Sequence, residues 1–298
     1  MKNYILILFS ICLFSCYAQN GTEFEYDNFE KQFLIYEPIQ NFQVSKKDFD
    51  YASMIIKETK SATKNNPENF NLADYFNILS AFLTLKENEK SITIAFEKFK
   101  NAEGSCEYLL SFENYINNNS KYDIIRANYL EKLKKCKQNP IAKTKFNIEE
   151  YCKSNDLDLA LVEKINQVKI DDQKYRNESS INSKNEQQIL DKKNQEIIDS
   201  LYIKHNAYLG KSLVGAEFKS VMWAVIQHSN TEMMAEYLPV IQKAVKENEL
   251  NVVPFKMLID RFYGSKYGYQ VFGSQSGFGF ELADDKKRKE IEIKYGIE

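Results

Sequence analysis

Apolar residues recur every three or four positions along most of this chain, which is the spacing of amphipathic helices. Before position 150 the pattern predicts five helices separated by short polar turns, and the helix starts at 71 and 105 lie 34 residues apart, as in arrays of helix pairs. The five predicted helices are 45–65, 71–86, 89–102, 105–116 and one that begins at 121. We therefore expect a helical-hairpin layer that packs against the rest of the chain or docks a protein partner.

The second half of the chain continues the helical pattern beyond a polar boundary at 138–155 that contains Pro140. Its predicted helices are 156–177, 189–205, one that opens near Gly215 and ends at His228, one that Pro239 must kink or divide, 254–263 and 284–295. The polar stretch 177–188 has no period and is expected to be a mobile loop. Five glycines interleaved with aromatic residues predict an irregular tail at 264–279, with a brief strand at 269–272.

These elements place the chain in the mainly α class. The expected organisation is a signal peptide at 1–18, a repeat-like helical-hairpin domain at 19–150, and a helical domain at 151–298 that contains the Gly/aromatic-rich tail. The apolar run 5–14 follows Lys2 and is too short to span a bilayer, so we expect export to the periplasm or cell envelope and no transmembrane span in the mature chain. Cleavage after Ala18 and acylation of Cys16 both fit the residues at this end.

Composition excludes several classes of partner and cofactor. The formal net charge is −2, and acidic and basic residues are mixed along the chain, which argues against a nucleic acid partner. Beyond the predicted signal peptide the cysteines are Cys106, Cys136 and Cys152, so at most one internal disulfide can form. Cys136 and Cys152 flank the turn at Pro140 and are the candidate pair, with buried free thiols as the alternative. The sequence contains no Cys/His cluster with the spacing of a metal site, and the tail glycines match no phosphate-binding motif. No cofactor is therefore predicted.

Polar residues interrupt the apolar faces of three predicted helices in the second half. Asp172 continues the stripe of the helix 156–177, and Arg176 follows at the four-residue spacing of an ion pair. Asp191 and Asn194 lie on or beside the next stripe, and His228 ends the one after it. Leaving such groups unpaired inside a protein costs roughly 1 to 3 kcal/mol each, so we expect them to meet one another.

Two interpretations of this polar set remain open. In the first, it is a buried hydrogen-bonded network that fixes the register of the helices. In the second, it lines a polar pocket that the glycine-rich tail closes over a ligand through Gln270 and Gln275. Asp260 and Arg261 point away from their apolar stripe or flank it, and are either part of the site or a solvated surface pair.

The order of these motifs resembles that of a bacterial family named domain of unknown function 6624, over residues 155–298. The motifs that carry the resemblance are Asp172-Gln173, Tyr175-Arg176, Asp191 with Asn194, Gly215, Gln227-His228, Asp260-Arg261, and Gln270 with Gly273 and Gln275. The family usually has Gly-Thr-Gln where this chain has Gly-Ser-Gln at 273–275, and a Gly-Trp-Pro-like segment where it has Asn-Ala-Tyr-Leu-Gly at 206–210. The resemblance implies a helical domain and a set of site residues, without an assigned reaction.

Two functional hypotheses follow for the second half of the chain. The first is an exported module that binds a small polar ligand or peptide. The second is a metal-independent hydrolase or lyase in which His228 is the general base, Asp172 or Asp191 orients it, and Arg176 or Arg261 stabilises negative charge. The expected catalytic residues are His228 and Asp172, and the expected ligand-binding residues are Gln173, Arg176, Asp191, Asn194, Asp260, Arg261, Gln270 and Gln275.

Overall fold

The computed structural model describes residues 23–138, 146–176, 178 and 180–297. The protein is mainly helical, as predicted, with 74% of the described residues in helices. Three predictions concern positions outside the described residues: the signal peptide 1–18 with Cys16, the turn at Pro140, and the loop residue Asn177. Along the part that is described, no helix is both long and apolar enough to cross a bilayer.

The first half forms seven α-helices around an aromatic core. Their bounds are α1 Phe29–Ile35, α2 Lys46–Ala62, α3 Leu72–Leu85, α4 Glu89–Asn101, α5 Ser105–Ser111, α6 Glu113–Asn117 and α7 Asp123–Gln138. Helices α2, α3 and α4 pack side by side, and Phe24, Phe29, Phe33, Phe82 and Phe96 are fully buried among them. The predicted helix 105–116 is two helices, because the backbone at Phe112 leaves the helical region (φ −96°, ψ 6°).

The second half contains eight α-helices and two short strands. Their bounds are α8 Ile148–Asn155, α9 Leu159–Gln173, α10 Ile181–His205, α11 Lys211–Phe218, α12 Val221–Gln227, α13 Thr231–Lys246, α14 Val252–Tyr267, β1 Tyr269–Gln270, β2 Glu281–Leu282 and α15 Asp285–Tyr295. The strands pair in parallel, with Tyr269 opposite Glu281, which gives the predicted strand in the tail a partner. Helix α13 continues through Pro239, so the proline does not divide it.

The hydrophobic residues form two clusters. One runs from Phe24 to Cys136 and the other from Cys152 to Ile297. Polar contacts join the two halves: the Tyr51 hydroxyl of α2 donates to the carbonyl of Gly273 (2.9 Å), and Glu58 of α2 accepts from Lys256 (2.7 Å) and from Arg288. The tail of the second half therefore lies against α2 of the first half.

The expected loop at 177–188 is wrong for residues 181–188, which form the first two turns of α10. The Ser180 hydroxyl caps this helix by accepting from the Ser183 amide (3.1 Å). Ser183 and Gln187 are buried although they are polar. The segment has no apolar stripe because its inward side chains are hydrophilic, so hydrophobic periodicity could not detect it.

The candidate disulfide between Cys136 and Cys152 is also wrong. Cys106 on α5 is bonded to Cys136 on α7, and their Cα atoms lie 5.4 Å apart. Cys152 is a free, buried thiol in the core of the second half. The contact between α5 and α7 brings Cys106 and Cys136 together, which spacing around a turn does not reveal.

The predicted helix from Gly215 to His228 is also interrupted. Helix α11 begins earlier, at Lys211, and α12 begins at Val221. Gly215 takes a left-handed φ of 79°, and a Cβ atom there would lie 2.0 Å from the Tyr151 hydroxyl oxygen. Only glycine fits this position, because both the backbone conformation and the contact with α8 exclude a side chain. The kink lies within α11, and α12, which carries His228 at its C-terminal end, begins after Lys219 and Ser220.

Candidate functional site

Asp172 lies in the last turn of α9, and its residue surface is 3% exposed. Arg176 follows the end of this helix, and its Nη2 atom contacts Asp172 Oδ1 at 2.8 Å. The same Nη2 atom contacts Asp191 Oδ1 at 2.7 Å. The ion pair predicted from the four-residue spacing is confirmed. Because Arg176 also pairs with Asp191, it links the end of α9 to α10.

His228 is the C-terminal capping residue of α12, and its Nδ1 atom lies 2.9 Å from Asp172 Oδ1. The other carboxylate oxygen of Asp172 accepts from Gln173 Nε2 at 2.5 Å. Burial is the largest single influence on the Asp172 carboxyl and opposes its ionisation, but the contacts from His228 and Arg176 outweigh it and lower the pKa to about 2. Asp172 is therefore ionised at neutral pH and is the common acceptor for the Arg176 guanidinium and the His228 ring.

Helix α10 contributes Gln187, which the sequence analysis placed in a loop. Its Nε2 atom donates to Asp191 Oδ1 (2.8 Å) and to the backbone carbonyl of Asp172 (3.0 Å), and its Oε1 atom accepts from the Tyr175 amide (2.8 Å). This side chain fixes the backbone between Asp172 and Arg176. The signal that could have revealed it is its position four residues before Asp191 on the same helical face.

Asn194 follows Asp191 on α10 and is fully buried. Its amide nitrogen donates to the Val168 carbonyl of α9 at 3.3 Å, while its Oδ1 atom is buried without a hydrogen-bond partner. Asn194 thus joins α9 to α10 but does not contact His228 or Arg176 among the hydrogen bonds of the described residues. Its placement matches the interpretation of a network that fixes helix register.

Arg261 of α14 completes one side of the cluster. Its guanidinium carbon lies 3.8 Å from the ring centroid of Phe278 in the glycine-rich tail. Its Nε atom is buried and without a partner, as is the Nε atom of Arg176. Burial lowers the pKa of Arg261, and the positive charge of Arg176 lowers it further. Gln227, at the end of α12, donates to the Met257 carbonyl (3.4 Å), one turn before Arg261, so this part of α14 lies against the end of α12. The tail therefore covers one cationic member of the predicted set.

We name the group formed by Asp172, Arg176, Asp191, His228 and Arg261 the polar cluster. Its members come from the end of α9, from α10, from the end of α12 and from α14. All five belong to the set singled out in the sequence.

Asp260 was expected to point away from an apolar stripe or flank it, as part of the site or of a solvated surface pair, and the surface pair is wrong. It is fully buried, and its carboxylate accepts from the backbone amides of Val271 (2.6 Å), Phe272 (2.8 Å) and Ser274 (2.8 Å). The Ser274 hydroxyl adds a fourth bond at 2.8 Å. Burial raises the pKa of Asp260, while these four donors act in the opposite direction. Asp260 holds the tail in place, and all four of these bonds are internal to the fold.

Gln270 and Gln275 were expected to reach a ligand, but the structure turns both inward. Gln270 Oε1 accepts from the Gln275 amide (2.8 Å), and Gln270 Nε2 donates to the Phe280 carbonyl (3.1 Å). The Gln275 side chain donates to the Ser274 hydroxyl at 3.1 Å. These glutamines shape the turn of the tail, and the structure does not bring them into hydrogen-bond contact with the polar cluster.

The polar cluster offers two kinds of chemistry. The contact between His228 and Asp172 has the geometry of an oriented histidine, and the two arginines are donors suited to an oxyanion. Within the described ranges, no group of three or more His, Cys, Asp or Glu side chains is arranged to hold a metal ion.

Comparison with known proteins gives no relative: no family model, no curated protein and no solved structure matches the chain. The resemblance to domain of unknown function 6624 stays a prediction. The chemistry of the polar cluster must therefore be argued from its own geometry.

Proposed function

We propose that the second half of this protein is a binding module for a small polar ligand and that the polar cluster is its binding site. The observation that carries the proposal is the convergence of charged side chains from four elements at one place, with the Nε atoms of Arg176 and Arg261 left without partners. A buried donor without a partner costs roughly 1 to 3 kcal/mol, and a bound ligand that accepts these hydrogen bonds would remove that cost. A purely structural network would be expected to pair its own donors.

The second candidate function is catalysis with His228 as a general base. The supporting observation is the 2.9 Å contact between His228 Nδ1 and Asp172 Oδ1, which can hold the imidazole in one tautomer and leave its other nitrogen for a substrate proton. Arg176 or Arg261 would then stabilise developing negative charge. Within this proposal a hydrolase or lyase remains the alternative to simple binding.

A ligand screen on the mature protein tests the binding proposal. We expect at least one small polar compound to raise the melting temperature of the wild-type protein and to perturb the NMR signals of the His228 ring. The same compound should lose most of its effect in His228→Ala, because the imidazole lies in the cluster. The control is His205→Ala, which removes the other histidine of the chain, at the end of α10.

One outcome of the screen would contradict the binding proposal. Binding that is equally strong in wild type and in His228→Ala would place the ligand elsewhere. Catalysis with His228 as general base requires a further result. The protein must turn over a bound compound, and this turnover must fall by about 100-fold or more in His228→Ala.

We further propose that the protein is exported to the periplasm or cell envelope, with a protein partner for the helices of the first half. The sequence of residues 1–18 supports export, and the Cys106–Cys136 disulfide is consistent with an oxidising compartment. Intact-mass measurement of the mature protein tests the proposal. The mass of a chain that begins at Gln19 or at a lipid-modified Cys16 supports the proposal. The mass of a chain that retains Met1 or Lys2 contradicts it.

A further inference from the structure

The two arginines of the polar cluster keep donors without partners, whereas the Asp172 carboxylate already accepts from three donors. Asp172 Oδ1 accepts from His228 and Arg176, and its Oδ2 atom accepts from Gln173. Asp191 Oδ1 accepts from Arg176 and Gln187. The Asp172 carboxylate is therefore occupied on both oxygens, and a cationic ligand would have to displace an internal partner to reach it.

The two arginines, in contrast, have hydrogen-bond donors without partners. Arg176 makes both of its ion pairs through the single atom Nη2, and its Nε atom is buried without a partner. Arg261 has no carboxylate within ion-pair distance among the described residues, and its Nε atom is also unpartnered. A guanidinium group has five N–H donors in a planar fork and no acceptor, so each arginine can still bind a ligand that offers acceptors.

The packing of α12 against α14 adds a second argument. Gln227, at the end of α12, donates to the Met257 carbonyl (3.4 Å), one turn before Arg261 on α14. His228, the next residue, contacts Asp172, which is paired with Arg176, so both arginines belong to elements that meet at the end of α12. The Asp172 and Asp191 carboxylates neutralise only Arg176 by direct contact, and an anion can accept from donors of both arginines.

Phe278 restricts the conformation of the Arg261 side chain, which favours the binding of an anion. Its ring lies against the guanidinium at 3.8 Å, which is the geometry of a cation–π pair. Stacking restricts the rotamers of the arginine and so lowers the entropy lost when an anion binds. Phe278 itself is 55% exposed, so the contact lies at the solvent boundary where a small ligand can enter.

We infer that the ligand of this site is an oxyanion, either a carboxylate or a phosphoryl group, and that Arg261 is the side chain that binds it, with Arg176 and His228 as further donors. This inference rests on the proposed binding function of the polar cluster and specifies the class of ligand. It also gives Phe278 a role that the sequence pattern alone did not assign.

The test uses the mature protein and four probes: inorganic phosphate, benzoate, benzamide as the neutral analogue of benzoate, and benzamidine as its cationic analogue. Titrations at constant ionic strength are followed by NMR of the His228 ring and the arginine Nε–H groups. We expect phosphate or benzoate to bind saturably and benzamide and benzamidine to bind at least about tenfold more weakly. Phosphate preferred over benzoate indicates a phosphoryl ligand, and the reverse indicates a carboxylate.

The variants are Arg261→Gln, Arg261→Lys and the control Lys266→Gln. Lys266 lies on the same helix, is exposed, and also stacks on aromatic rings, so its substitution makes the same change in charge away from the site. Anion affinity should fall at least about tenfold in Arg261→Gln, recover in part in Arg261→Lys, and stay unchanged in Lys266→Gln. Thermal melts of all three variants show whether each is folded.

Three outcomes overturn the inference in distinguishable ways. Equal anion binding in wild type and Arg261→Gln removes Arg261 from the site. Benzamide or benzamidine binding as tightly as benzoate, with shifts at His228, contradicts the ligand class and leaves the binding proposal standing. If no probe of any charge perturbs His228 or the arginines, the inference fails, and the ligand screen with polar compounds decides the binding proposal separately.

Discussion

Two buried carboxylates in this protein have different partners and therefore different roles. Asp172 meets the side chains of Arg176 and His228, whereas Asp260 meets backbone amides of the tail and the Ser274 hydroxyl. Side-chain partners can be exchanged for a ligand, while backbone amides inside a fold have no other acceptor nearby. At the residue scale, this difference separates a candidate binding group from a structural one.

The structural role of Asp260 predicts a large loss of stability in Asp260→Ala. The substitution leaves three backbone amides without their acceptor, and each buried donor costs roughly 1 kcal/mol or more, so the free energy of unfolding should fall by about 3 kcal/mol. Urea denaturation of both proteins measures the difference. A loss below about 1 kcal/mol would show that the tail does not depend on this carboxylate.

Sequence reasoning found the ion pair of Asp172 and Arg176 because both lie within one helical turn, where spacing fixes proximity. It misjudged Asp260 because the partners of that carboxylate are 11 to 14 residues away in an irregular segment without a period. Local spacing therefore predicts contacts inside a helix, and it fails where a side chain meets backbone groups of a distant turn.

At the scale of elements, apolar stripes predicted the helices well wherever the buried face is hydrophobic. Two of the exceptions share one cause. Helix α10 begins with buried polar side chains, and the kink inside α11 at Gly215 accompanies its contact with Tyr151. Both features are set by tertiary partners rather than by the local pattern. The disulfide between α5 and α7 belongs to the same class of features, since helix packing decides which thiols meet.

At the scale of the whole molecule, Glu58 joins the two halves of the chain. It is largely buried, as are its partners Lys256 and Arg288. The Tyr51 contact with Gly273 lies on the same helix α2, so the first half supports the tail that covers Arg261. The domain boundary at 138–155 stays a prediction, and its residues 148–155 form helix α8. The ion pairs between the halves could not be predicted, because they join residues far apart in the chain.

This arrangement predicts that Glu58→Gln lowers the free energy of unfolding by roughly 3 kcal/mol, because the change leaves two buried cations without their shared carboxylate. The matched control is Glu281→Gln, which removes the exposed pair with Lys47 between the same two halves. That variant should stay within about 0.5 kcal/mol of wild type. Urea denaturation compares them, and equal losses in both variants would contradict a special role for Glu58.

The central claim is that ionised Asp172 is held inside the protein by His228 and Arg176. Its folded pKa of about 2 lies below the ordinary value of about 3.9, so its contribution to stability, about 2 kcal/mol, is complete above pH 4 and is lost as the pH falls towards 2. The decisive measurement is the free energy of unfolding of wild type, Asp172→Asn and Asp171→Asn between pH 7 and pH 2. Asp171 is the matched control, since its carboxylate contacts Gln167 and the largely exposed Lys193.

The account predicts that Asp172→Asn is about 2 kcal/mol or more less stable than wild type at pH 7, that Asp171→Asn loses clearly less, and that the difference between wild type and Asp172→Asn shrinks as the pH falls from 4 to 2. A difference that stays constant over this range, or one no larger than that of Asp171→Asn, would contradict the polar cluster as described.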